Sequence, residues 1–204
     1  FTNETIGSGS IPLWNPYVFS GNVHAATYQS AIFYPFNVLY HLLPQVDAWS
    51  MLDMLQPLLA GLGMYFFLRS LRLSPASGIF GAVSYAFSGW MIAWWEESIV
   101  IQHSILWLSW ALYGSNLLWE GKKKLGLFVL VLALTLSVLA GFLQMSIYLG
   151  ATVILWNIYK WNGAKDWRPF GFFAGASILA LLIAAVQWVP GFEAYTSSTR
   201  GTVA

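Results

Sequence analysis

From Trp49 onward, apolar residues run in long stretches separated by short polar breaks. A helix that crosses a membrane needs about 20 mostly apolar residues to match a hydrocarbon layer about 30 Å thick. That ruler predicts spans near 49–68, 75–95, 99–119, 125–143, 145–160 and 170–190. The stretch from Leu125 to Tyr159 is too long for one crossing and short for two, at roughly 1.5 Å per residue. A break at Gly141–Gln144 divides it into a tight hairpin of two short helices. The first 46 residues are more polar yet crowded with rings, among them Trp14, Tyr17, Phe19, Tyr28, Phe33, Tyr34, Phe36 and Tyr40. Aromatic rings favour the headgroup level, so this segment is expected on the outer interface. Pro35 can open a short helix there, ended before Pro44. The expected fold is all-α: an extracytoplasmic interfacial loop (1–46) followed by a polytopic transmembrane helical bundle of about six spans (47–204).

The basic residues support six crossings. Arg69 and Arg72 follow the first span, Lys122, Lys123 and Lys124 the third, and Lys160, Lys165 and Arg168 the fifth. These are alternate loops, and cytoplasmic loops collect Lys and Arg. With six spans eight of the nine basic residues share one side; merging the fourth and fifth would split them. Both ends of the chain are then extracytoplasmic.

Composition narrows the class. The 204 residues are 58% hydrophobic and 8% charged, against about 25% charged in soluble domains. Mean hydropathy is +0.63. A soluble enzyme, a disordered tail and a nucleic-acid partner, which would need a basic surface, are excluded. The net charge of +1 adds little, and zero cysteines remove disulfides and thiolate chemistry. Phe1 and Ala204 read as mid-sequence positions, so the chain is expected to be an internal fragment of a longer membrane protein.

With this topology the unusual polar residues fall at the outer ends of the spans. Glu96 and Glu97 follow Trp94 and Trp95, where poor solvation would raise a carboxylate's pKa and suit it to acid or base work. They are the catalytic candidates, and a solvated loop is the plain alternative. His103, beside Gln102, could move a proton or bind metal, or be an interfacial histidine with one hydrogen bond. Gln144 could contact a sugar hydroxyl or satisfy the broken backbone of the hairpin. Gln187 and Glu193 close the last span with Arg200, the sole outer cation, which could hold a lipid-linked phosphate or pair with Glu193.

Four segments resemble the YfhO-like bacterial membrane proteins. They are PLWNPYVFSGN (Pro12 to Asn22), followed by Gln29 and FYPFNVLY (Phe33 to Tyr40); GMYFFLRSLRLSPASGIFGAVSYAFSGW (Gly63 to Trp90); AGFLQMSIY (Ala140 to Tyr148); and AAVQWVPGFEAYTSSTR (Ala184 to Arg200). Phe142 stands where that family commonly has His. The resemblance implies a polytopic glycosyltransferase of the GT-C type, moving a sugar from a polyprenyl-phosphate donor to an envelope polymer acceptor at the outer face of the bacterial cytoplasmic membrane. It implies a main catalytic acid upstream of Phe1, with Glu4 badly placed to replace it.

On that reading a sugar would stack on Trp14 or Tyr34, while Asn15 and Gln29 offer amides to its hydroxyls. For Trp14-Asn15-Pro16 a turn anchored at the interface, with Asn15 bonding local backbone, is the alternative. The partners are the lipid bilayer, the polyprenyl-phosphate sugar and the acceptor. The cofactor stays open, a divalent metal ion among the options. Rival functions are a transporter or flippase for lipid-linked sugars and a non-catalytic scaffold for envelope assembly.

Overall fold

The computed structural model describes residues 1–18, 20–95 and 97–198. After a short helix α1 (Thr2–Gly7), the chain forms a small antiparallel ribbon, β1 (Trp14–Asn15) against β2 (Asn22–Val23), with Trp14 opposite Val23. A 3-10 turn at Tyr28–Ser30 follows. A second at Pro35–Val38 runs into α2 (Leu39–Leu42). Leu43 is extended, as a residue before proline prefers.

Helix α3 (Gln45–Ser70) buries one stripe, Ala48, Leu52, Gln56, Ala60, Gly63 and Phe67, at the three- and four-residue spacing of a helix face. Ser74 caps α4 (Pro75–Ala86) by accepting the Ser77 N–H at 3.1 Å. Helix α5 (Gly89–Trp95) follows after a bend of 42°. The stretch expected as one span near 99–119 is two helices, α6 (Ile99–Ile105) and α7 (Trp107–Trp119), parted at Leu106. Next come α8 (Lys123–Leu139) and α9 (Leu143–Ala164), joined by a turn over Ala140–Phe142, slightly earlier than the sequence suggests. Helix α10 (Arg168–Ile183) meets α11 (Ala185–Thr196) at a bend of 69°. There the indole of Trp188 donates to the Leu181 carbonyl at 2.9 Å, satisfying one group that the bend frees.

Among the described residues one helix, α3, is long and apolar enough to cross a membrane; the number rises to three if each bent pair counts as one span. Helix α9, at 22 residues, is long enough but falls short in mean hydropathy. Neither α6 nor α7 reaches the length required, and the 17 residues of α8 extend only about 25 Å.

The bundle exposes apolar side chains, as hydrocarbon solvent allows, and buries a few hydrogen-bonded polar ones within an apolar core. Met54, Phe128, Leu155, Ile178 and Leu182 are exposed. Inside, the Asn157 amide of α9 donates to Ser115 Oγ at 2.9 Å and accepts from the Trp119 indole at 3.0 Å. Ser109 donates to the Ala60 carbonyl, tying α7 to α3. Helices α7 and α8 touch backbone to backbone: a Cβ on Gly114 would lie 2.7 Å from the Leu130 nitrogen. Small residues at such crossings are how membrane helices gain contact without a hydrophobic drive.

Candidate functional site

Between the second 3-10 turn and the bundle lies a cavity of about 200 Å³, whose lining includes Gln29, Tyr34, Asn37, Tyr40, Trp49 and His103. The 3-10 turns supply its roof, and α3 and α6 its floor. Tyr34 immediately precedes Pro35, in the extended conformation that proline imposes, and this sends its ring inward. It is 4% exposed, although the outer tip of the same loop, Tyr17, is 81% exposed. The loop therefore inserts one half into the bundle rather than lying wholly on its surface.

A hydrogen-bond chain fixes this wall. His103, 2% exposed, directs Nε2 at the Leu52 carbonyl at 3.1 Å. A carbonyl can only accept, so Nε2 carries the proton and Nδ1 is an acceptor. The Tyr34 hydroxyl donates to Nδ1 at 2.9 Å and accepts from the Trp107 indole at 3.3 Å. Both imidazole nitrogens are engaged, so His103 holds the loop to α3 and α6. Burial pushes the Tyr34 phenol upward. Burial, and then the Asp53 carboxylate, do the same for Tyr40. Both remain hydroxyls at neutral pH. The cavity thus offers amides, phenols and an indole, a lining suited to an uncharged polyhydroxylated ligand.

Gln29, Tyr34 and His103, each singled out in the sequence, come together here. The others lie apart. Trp14 packs over Gly21 on the ribbon, and the Asn15 carboxamide accepts the Tyr17 N–H at 3.0 Å, closing a local turn. Glu97 and Glu193 are exposed; Glu96 and Arg200 lie outside the described residues. Gln187 is fully buried on α11, with neither amide atom partnered among the described residues. No group of three His, Asp or Glu side chains suited to a metal assembles among the described residues. Asn37, Tyr40 and Trp49 were not singled out, although Asn37 and Tyr40 sit one helical turn apart in the FYPFNVLY segment.

Gln144 is exposed and donates to the Tyr148 hydroxyl at 2.8 Å. The hairpin is instead held by Ser104, whose hydroxyl accepts the Phe142 N–H at 3.1 Å and whose carbonyl accepts from Ser137 at 2.7 Å. Gln144→Leu should therefore leave thermal stability in detergent nearly unchanged. Ser104→Ala, which strips the part-buried Phe142 N–H of its partner, should cost about 1 kcal/mol. The reverse order would show that Gln144 carries the turn.

A model of the family described as bacterial membrane protein YfhO matches residues 24–204. No curated protein and no solved structure shows significant similarity. The match begins at His24, so it takes in the cavity and all of the bundle.

Proposed function

The chain belongs to the YfhO family of bacterial membrane proteins, and we propose that the full-length protein transfers a sugar from a polyprenyl-phosphate donor to an envelope acceptor at the outer face. The convergence of Gln29, Asn37, Tyr40 and Trp49 on one cavity, walled by the Tyr34–His103 pair, carries this reading. Convergent polar groups in a concavity are what a small-molecule site requires. Amides and phenols match sugar hydroxyls, and the Trp49 and Tyr40 rings offer faces to the sugar ring. The cavity lies at the end of the bundle away from Lys122, Lys123 and Lys124, the extracytoplasmic end if basic loops stay inside. Glu97 is the acid within the described residues nearest in sequence to α6, and a second acid from elsewhere in the full-length protein would complete the chemistry.

Gln29 lies at the exposed edge of the lining, so its change should not disturb the core. In purified full-length protein supplied with a panel of polyprenyl-phosphate sugars, Gln29→Leu should lower transfer of the accepted sugar about tenfold, the equivalent of one hydrogen bond of roughly 1.4 kcal/mol. Thermal stability should not move. Unaltered transfer would remove the cavity from the reaction. Retained lipid flipping with no transfer in the unmodified protein would favour the transporter.

A further inference from the structure

Along the flank of the bundle a groove runs between α8 and α10, starting near their basic ends. Its volume is about 630 Å³, within the range of small-molecule sites. Of the side chains that line it, Thr135 alone is polar. It extends along α8 from Leu127 to Thr135 and along α10 from Gly171 to Ile183. At 1.5 Å per residue these stretches measure about 12 and 18 Å, close to half of a hydrocarbon layer about 30 Å thick. A Cβ added to Gly171 or Gly175 meets nothing within 4 Å, so the floor of the groove is open space.

The end of the groove is positively charged. Helices α8 and α10 both begin there, at Lys123 and Arg168. The positive ends of their dipoles favour an anion there. Lys123 Nζ stands 4.9 Å from the centre of the Phe172 ring, one of the groove walls. Nearby acids are otherwise engaged. Glu120 pairs with Lys122 at 2.9 Å, and Asp166 accepts the Arg168 N–H at 3.0 Å. Among the described residues neither Lys123 nor Lys124 has a carboxylate within ion-pair distance.

We propose that this groove holds one acyl chain of an anionic phospholipid, from the leaflet on the basic side of the protein, with the lipid phosphate at Lys123. An apolar slot one leaflet deep, with the Lys123 ammonium beside its Phe172 wall, matches that molecule. Juxtamembrane lysines attract anionic lipid through the same electrostatics.

Native mass spectrometry of the purified full-length protein, incubated with phosphatidylglycerol or phosphatidylcholine of identical chains, tests it. Phosphatidylglycerol should be retained in preference. Lys123→Ala should reduce its retention about fivefold, the loss expected for one surface lysine. Gly175→Leu, which fills the open floor, should abolish retention of that lipid without lowering thermal stability, while Gly150→Leu on α9, also in open space, should not. Equal retention of the two lipids, or retention unaffected by Gly175→Leu, would overturn the proposal. So would a change of oligomeric mass in Gly175→Leu, which would assign the groove to a second copy of the chain.

Discussion

Gly141→Ala should destabilise the protein by about 3 kcal/mol and release the aromatic loop from the bundle. Gly141 closes the turn between α8 and α9 with φ at +99°, a conformation that side chains rarely adopt. A Cβ there would stand 2.4 Å from the Tyr28 carbonyl oxygen, which is backbone and cannot swing aside. Strain of about 1–2 kcal/mol from the left-handed conformation adds to an overpacking cost of about 1–3 kcal/mol. Tyr28 is also the residue against which Gly191 of α11 packs, so its displacement would loosen two contacts. Thermal unfolding in detergent, together with the rate of proteolysis within residues 1–43, measures both effects. Gly150→Ala, placed in open space, is the control. A Gly141→Ala protein as stable as the control would mean that the loop does not rest on this turn.

His103→Leu should cost about 2–3 kcal/mol, and the further loss on adding Tyr34→Phe should be smaller than the loss from Tyr34→Phe alone. Removing the imidazole leaves the Tyr34 hydroxyl buried with a proton to donate and no acceptor, a penalty of about 1–3 kcal/mol. It also removes the donor facing the Leu52 carbonyl. Taking away both partners of a buried hydrogen bond is far less costly than taking one. Tyr34→Phe should therefore cost less in the His103→Leu background than in the unmodified protein, since only the Trp107 indole then loses its partner. A double-mutant cycle read by thermal unfolding checks this, and strictly additive losses would mean that the two side chains do not act as a pair.

The helical character of this chain is legible from its apolar runs, because in hydrocarbon the backbone must satisfy itself within each helix. The number of crossings is not. The apolar run through Ile105, Leu106 and Trp107 contains no Gly or Pro, yet the helix breaks there. Composition does not record such a break, because Leu106 is as apolar as its neighbours. The β1–β2 ribbon is equally silent, since two-residue strands are too short to show alternation. Gln29, Tyr34 and His103 stand out as polar or amphipathic residues at the ends of apolar stretches, so three parts of the cavity can be read from the chain. The bond that joins Tyr34 to His103 spans 69 positions and has no local signature. Gln144 illustrates the same limit. It is the conspicuous amide beside the hairpin, but the partner of the turn is Ser104, an inconspicuous small residue that folding brings from 38 positions away.

The most direct test of the proposed sugar site uses the absence of cysteine from this chain. Gln29→Cys places one thiol at the exposed edge of the cavity lining, and its rate of alkylation by a small polar maleimide can be followed in the purified full-length protein. A polyprenyl-phosphate sugar should slow that rate several-fold, whereas polyprenyl phosphate without sugar should slow it little, and a cysteine at Ser8 should react equally in all conditions. Equal alkylation of Gln29→Cys with and without the sugar donor would contradict binding of the sugar in this cavity.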